Sequence, residues 1–252
     1  MSVTYGAGGS TKKMTHELVV KLHKETNLTI IPHITCQGHS KDEIDRIIKC
    51  YQDERIENIM ILRGDPPKGD KNFVIREDGF KYASEMVEFV RKKYPEIGIG
   101  VAAFPEGHPE TPNRIKEMNY LKEKVDAGAD YVCTQLFFDN RDFFDFKERC
   151  KLSGINKPII AGIMTISSIK NMHRISELAQ GARFPASLLK SLLRVPDDEC
   201  ARRVGLHWAT EQVRDLIDHD VKGIHFYTLN NSSAIKDIYA SLGIRSTEDL
   251  GT

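Results

Sequence analysis

The clearest block in the chain is Asn58-Ile59-Met60-Ile61-Leu62, an apolar run closed by Arg63-Gly64-Asp65-Pro66-Pro67. Such a run, too short for a helix and ended by prolines, predicts a strand buried on both faces. Strand-like stretches also occur at residues 1–6, 28–34, 97–103, 131–135, 158–163 and 223–227. Between them lie helical patterns. Thr15 to Lys24 places Leu18, Val19 and Leu22 on one face, and Ser40 with Glu43 forms a capping box ahead of the stripe Ile44, Ile47 and Ile48. Further helices are expected near residues 79–93, 113–127 and 141–152. Helical segments then run from Ser167 to His219 with breaks at Pro185 and Pro196, and a closing helix starts at Ser232. Alternation of about seven strands with helices predicts a parallel sheet with helical crossovers. That is one strand short of a closed (β/α)₈ TIM-type barrel. Neither a dinucleotide G-x-G-x-x-G nor a phosphate-loop motif is present to favour a doubly wound sheet. With no internal repeat or linker, residues 1–252 are read as one domain.

Charge narrows the function classes. Lys plus Arg and Asp plus Glu are 36 each, so no net field favours nucleic acid or an anionic membrane as partner. No apolar run approaches the roughly 20 residues that span a bilayer, nor is there a leader pattern, which points to a cytoplasmic protein. The five cysteines are scattered without C-x-x-C pairing and are expected as free, mostly buried thiols.

Candidate chemistry gathers at strand carboxyl ends, where parallel α/β folds place their ligands. Thr4, His33, Arg63 with Asp65, His108, Gln135 and Tyr227 all stand there. Arg-Gly-Asp alone makes a β-turn with a surface ion pair; several strand ends bearing polar groups together make a binding rim. The spacing His33-x-x-Cys36-x-x-His39 has metal-ligand types, but an extended strand turns His33 and Cys36 to opposite faces, so no metal is expected. The phenylalanines 137, 138, 143, 144 and 146 are read as core or pocket wall. No partnered serine or cysteine nucleophile, carboxylate pair or strand lysine is evident, so the rim favours a cofactor that brings its own reactivity.

Seven segments carry a family resemblance: Ser2–Ala7, Pro32–Cys36, Leu62–Asp65, Ala102–Glu110, Lys124–Asp130, Thr134–Asp139 and His225–Asn230. In that order, from Ser2 to about Ile244, the chain resembles 5,10-methylenetetrahydrofolate reductase. The resemblance implies a (β/α)₈ barrel that holds FAD at the strand ends and takes a hydride from NADH or NADPH to a small-molecule folate. It implies FAD contacts from Thr4, His33, Arg63, Gly64, Asp65, Tyr82, Ala83, Phe104, His108 and Lys124. Asp65 would face both flavin and folate, and Gln135 would hydrogen-bond the pterin as the second catalytic residue. Glu117 and Tyr120 stand where the family has an aspartate and a polar residue along the ribityl and phosphate region. Asn171 and Asn231 stand at folate positions held by a glutamine and an arginine. The family's first strand–helix unit, whose Phe-Glu-Phe-Phe-Pro-Pro strand bears the proposed general acid, has no counterpart in this sequence. Either the sequence is a shortened form, or its start is misassigned, or the protein lacks the unit; if residues 1–252 are the whole chain, we expect a barrel with that unit missing, its edges covered by a second copy or a partner subunit. Two functions follow from the resemblance: a complete flavin-dependent reductase, or a flavin-binding subunit that passes electrons to a partner protein.

Overall fold

The computed structural model of the chain describes residues 1–5, 9–64, 76–111, 113–179, 181–246 and 249, the side chains of 9–13 excepted. It is a parallel α/β fold whose seven-stranded sheet has the order β1-β2-β3-β4-β5-β6-β7. The strands are β1 (Ser2–Val3), β2 (Ile31–Thr35), β3 (Asn58–Leu62), β4 (Gly98–Ala103), β5 (Tyr131–Leu136), β6 (Ile159–Ile163) and β7 (Ile224–Phe226). The helices are α1 (Gly9–Glu25), α2 (Lys41–Asp53), α3 (Ala83–Lys93), α4 (Arg114–Asp126), α5 (Asn140–Leu152), α6 (Ile169–Leu178), α7 (Ala186–Arg194), α8 (Asp198–Asp218) and α9 (Ser233–Leu242). Among the described residues this is the strand number and the βα alternation expected from the sequence. The chain divides into two compact units, Met1–Ala102 with Asn119–Val132, and Ala103–Met118 with Cys133–Thr252.

In the first unit β1 to β4 pair in parallel, with Ser2 opposite Ile31, His33 opposite Met60 and Asn58 opposite Gly98. Ile59, Met60 and Ile61 are all buried, as a strand covered on both faces requires. The capping box of α2 forms as read: the Ser40 hydroxyl accepts from the Glu43 amide at 3.1 Å and the Glu43 carboxylate from the Ser40 amide at 2.7 Å. It fixes the helix start so that Ile44, Ile48 and Tyr51 face the core. Helix α3 begins at Ala83 rather than near Gly79. The Glu85 carboxylate accepts from the amides of Lys81 (2.8 Å) and Tyr82 (3.4 Å), setting the start later. The helix α1 opens earlier than its apolar stripe, at Gly9, and β2 begins at Ile31 rather than Leu28.

Arg91 on α3 ties the amino ends of two strands. Its guanidinium donates to the carbonyls of Gly128 (2.9 Å), Ile97 (3.1 Å) and Pro95 (2.5 Å) and to the Asp130 carboxylate (2.5 Å). Asp130 in turn accepts from the Ile99 amide at 2.7 Å. Gly100 leaves room for the Tyr131 ring, which a Cβ at that position would meet at 2.3 Å.

In the second unit β6 pairs with β7, Ala161 opposite Ile224. A core of Leu136, Phe138, Met164, Ile166, Met172, Ile175, Leu188, Leu192 and Ala201 joins these strands to α6, α7 and α8. The three helices break near Pro185 and Pro196 as expected. α8 lies so close to the segment after β6 that a Cβ on Gly205 would fall 1.9 Å from the Ile166 carbonyl oxygen. Asn140 at the start of α5 donates to the Gln212 carbonyl (2.9 Å) and the Asp215 carboxylate (2.6 Å), pinning α5 to α8.

The cysteines are free, with Cys36, Cys133 and Cys150 buried and Cys50 exposed. Among the described residues no helix is long and apolar enough to cross a membrane.

Candidate functional site

In the first unit the carboxyl ends of β2 and β3 stay paired beyond the strands, through Cys36 N–H to the Leu62 carbonyl (2.9 Å) and Gln37 N–H to the Arg63 carbonyl (3.1 Å). This extension brings Arg63 and Gly64 beside the loop that follows His33. Gly64 has φ +81°, and a Cβ there would sit 3.0 Å from Thr35 Cβ, so the turn suits glycine twice over. Asp65 lies outside the described residues. His33 is half-buried between the buried Pro32 and Ile34. Lys124, from α4, donates its ammonium to the Ala102 carbonyl at 2.5 Å, which carries a cation to the carboxyl end of β4. Ala83 is buried at the first turn of α3, whereas Tyr82, Tyr120 and Thr4 are exposed.

His33, Cys36 and His39 have separate surroundings. Cys36 donates its thiol to Met86 Sδ at 3.6 Å, and burial pushes its pKa up to about 12. His39 is buried between the Thr35 carbonyl (3.2 Å from Nδ1) and the Tyr5 hydroxyl (2.8 Å from Nε2). Reading the sequence linked His39 only to a metal pattern. The structure instead places it in a hydrogen-bonded set with Tyr5, whose phenol is pushed up to about 12, first by burial.

In the second unit the turn after β4 carries Phe104 and His108, edge to face with centroids 4.6 Å apart. The His108 amide donates to Glu117 Oε1 at 2.8 Å, and the Glu110 amide donates to His108 Nδ1 at 3.1 Å. With Nδ1 accepting, a neutral His108 ring keeps its proton on Nε2. The Pro105 carbonyl accepts from Arg114 (3.1 Å) and Arg149 (2.8 Å). Glu106, whose side chain is only 4 % exposed, accepts from Arg183. Burial pushes the Glu106 carboxyl up against the opposing pull of Arg183, while Arg183 is itself raised by its hydrogen bond to Glu106.

A shallow depression in this unit is lined by Phe104, Pro105, Glu106, Gly107, Gln135, Leu136, Gly181 and Ala182. Gln135 Oε1 accepts from the Leu136 amide at 3.0 Å, which leaves the Nε2 amino group as the donor this side chain can offer. Tyr227, beyond β7, donates its hydroxyl to the Thr134 carbonyl at 2.8 Å. Asn171 Oδ1 accepts from the Ser167 amide (3.0 Å) at the start of α6, and Asn231 Oδ1 from the Ser233 amide (3.0 Å) at the start of α9. Both carboxamide oxygens thus serve helix starts, a use the family resemblance had not suggested. Four of the five phenylalanines of the run are core, Phe137, Phe138, Phe143 and Phe146 each being at most 1 % exposed, while Phe144 is half-buried against His219.

The model of the methylenetetrahydrofolate reductase family matches residues 1–243. The chain belongs to that family. It is 37 % identical over 253 residues to methylenetetrahydrofolate reductase (NADH) 1 of Arabidopsis thaliana, covering 96 % of this chain and 43 % of the plant protein. It is 35 % identical over 246 residues to 5,10-methylenetetrahydrofolate reductase of Escherichia coli, covering 97 % of this chain and 80 % of that protein. The chain therefore spans about two fifths of the plant relatives and four fifths of the bacterial one. Among solved structures, a Clostridium thermocellum protein that binds two copies of 5-methyl-5,6,7,8-tetrahydrofolic acid has the same fold, with a TM-score of 0.57. That match covers 95 % of this chain and 91 % of the other at 15 % identity.

Proposed function

We propose that this chain reduces 5,10-methylenetetrahydrofolate to 5-methyltetrahydrofolate with NADH or NADPH as the donor, using FAD, and that residues 1–252 act as one barrel domain. The observation that carries this reading is the donor set at the strand ends of the first unit. Lys124 at Ala102, the guanidinium of Arg63 and the imidazole of His33 are the groups that a pyrophosphate and a carbonyl-rich ring edge require. Gly64, at φ +81° and with Thr35 Cβ 3.0 Å from where its own Cβ would lie, packs this turn tightly against the end of β2 and fixes the backbone on which the ring edge would rest. The residues present thus fit FAD.

When bound, FAD supplies the acceptor and donor of the hydride that links nicotinamide to folate. Lys124 would hold the pyrophosphate as a point charge, and Arg63 with Gly64 and His33 would orient the ring edge. Thr4, Tyr82, Ala83, Phe104, His108, Glu117 and Tyr120 would supply the remaining FAD contacts. Gln135 would donate from Nε2 to the pterin, and Asp65 would place an anion where positive charge develops on the folate carbon. Asn171 and Asn231 would offer their amino groups to the folate, since their carboxamide oxygens already cap helices.

Reconstitution with FAD tests this. The expected protein is yellow, is bleached anaerobically by a reduced nicotinamide and recovers its colour on adding methylenetetrahydrofolate. Lys124→Ala should weaken FAD roughly 10- to 150-fold, matching about 1.5–3 kcal/mol for a hydrogen bond to a charged group. A protein that gains no flavin absorbance would end the reading. FMN bound as tightly as FAD would remove the pyrophosphate role of Lys124.

A further inference from the structure

The turn after β4 is gripped from more than one side. Arg114 and Arg149 both hold the Pro105 carbonyl, and both come from helices that follow in sequence. The other grip comes from much farther along the chain. Arg183, in the loop between α6 and α7, gives Glu106 Oε1 both its backbone N–H at 2.9 Å and its Nε at 3.0 Å. Its remaining arm reaches Asp142 in the first turn of α5, at 2.5 Å. Gly181 has φ +94°, and a Cβ on it would come within 2.7 Å of the Gly107 carbonyl oxygen. The loop is thus seated against the backbone of the turn as well as against its carboxylate.

The exposures of the two partners differ in a telling way. The Arg183 side chain is 64 % exposed and that of Glu106 is 4 % exposed. Arg183 gains little from the pair, because an exposed guanidinium is already solvated. Glu106 is the side that depends on it. A carboxylate shut away from water needs donors, and removing one partner of such a pair leaves an uncompensated buried charge. Glu106 stands two residues from Phe104 and two from His108, so a backbone shift that lets it reach water moves the turn that carries that ring pair.

We propose that Arg183 is a positioning residue for the turn after β4, which it holds through Glu106 in the conformation that presents Phe104 and His108. The functional half of this rests on the flavin reading above; the geometric half does not. Without Arg183 the Glu106 carboxylate swings outward to water, and the Phe104–His108 pair loses its edge-to-face contact.

The experiment uses the full chain in two states. In the protein without flavin, ¹³C-labelled histidine NMR follows the His108 ring resonances, assigned with His108→Asn. Arg183→Met should move them, Arg183→Lys should restore them in part because a single ammonium can reach Glu106, and Asp142→Asn should leave them in place. With FAD added, Arg183→Met should raise the dissociation constant about tenfold, the equivalent of one net hydrogen bond to a charged group. Glu106→Gln, which keeps the acceptor and removes the buried charge, should stay near the wild type. His108 resonances unmoved by Arg183→Met would overturn the proposal whether or not flavin binds. So would equal movement by Asp142→Asn, which would mark a general loosening of the loop. Wild-type protein that fails to bind FAD while Arg183→Met still moves His108 would strike the flavin reading and leave the clamp standing.

Discussion

Replacing Gly205 by alanine should lower stability, although helix propensity alone says the opposite. In the interior of a helix, glycine to alanine ordinarily gains about 1 kcal/mol. Gly205 lies within the 21-residue helix α8 and is buried. Its missing Cβ would be 1.9 Å from the Ile166 oxygen, 2.8 Å from the Ile166 carbonyl carbon and 3.0 Å from Ile166 Cβ. The obstacle is backbone, so no side-chain rotation relieves it. To restore even the 3.0 Å below which real Cβ contacts essentially never fall, α8 must retreat by about 1 Å. Doing so opens the core shared by Met164, Ile166, Leu188, Leu192 and Ala201. Overpacking of this kind costs about 1–3 kcal/mol, enough to outweigh the propensity gain. A net loss of about 1 kcal/mol corresponds to a midpoint lower by roughly 2–4 °C in a chain of this size. Trp208, the chain's single tryptophan, lies on the same helix and donates its indole N–H to the Phe138 carbonyl at 2.9 Å. Its fluorescence is therefore a local reporter of urea unfolding. Gly154→Ala is the control. With φ +74° and nothing within 4 Å, it should cost only the left-handed backbone term, about 1–2 kcal/mol. A Gly205→Ala protein that melts at or above the wild type would show that α8 is not held against the segment after β6.

Two further outcomes can be checked without any ligand. The Asp45 carboxyl is held below its usual range, first by the Lys93 ammonium at 2.6 Å and then by the Tyr94 hydroxyl at 2.7 Å. A depressed carboxylate contributes stability above its unfolded pKa, near 4, and loses it as pH falls through the folded value. Asp45→Asn should therefore shift the urea midpoint at pH 7 and shift it progressively less toward pH 3; an equal shift at both would mean the charge is not involved. Thiol titration of the native protein should find Cys50 at once and Cys200 more slowly. Cys36 and Cys133, buried and pushed up to about 12, should react only on unfolding, and early labelling of either would contradict their packing.

What could be read from sequence was what neighbouring residues decide among themselves. The strand at Asn58–Leu62 and the Ser40–Glu43 capping box need only local pattern, and both appear where read. The start of α3 was misplaced because a carboxylate four residues downstream, not a standard capping residue, sets it. Among the site candidates, His33, Arg63 and Gly64 could be named because strand ends in a parallel fold are predictable, whereas Lys124, on α4, was named only through the family resemblance. The grip of Arg183 on Glu106 could not, since the two are 77 residues apart and nothing in the segment Ala102–Glu110 names Arg183 as the partner of Glu106. Asn171 and Asn231 show the reverse. A family likeness pointed them at a ligand, while their immediate neighbours already engage their oxygens.

Arg91 and Asp130 sit at the amino ends of β4 and β5, the opposite end of the strands from Lys124 and Gly64. Damage to that knot should reach a cell as a shortage of protein rather than as a slower enzyme. An allele altered there would retain, molecule by molecule, whatever affinity the proposed flavin site has, yet fewer molecules would survive proteolytic surveillance. Because a bound ligand stabilises the folded state by mass action, on the flavin reading proposed above such an allele would respond to an abundant supply of FAD, whereas one altered at Lys124 would respond far less at the same supply.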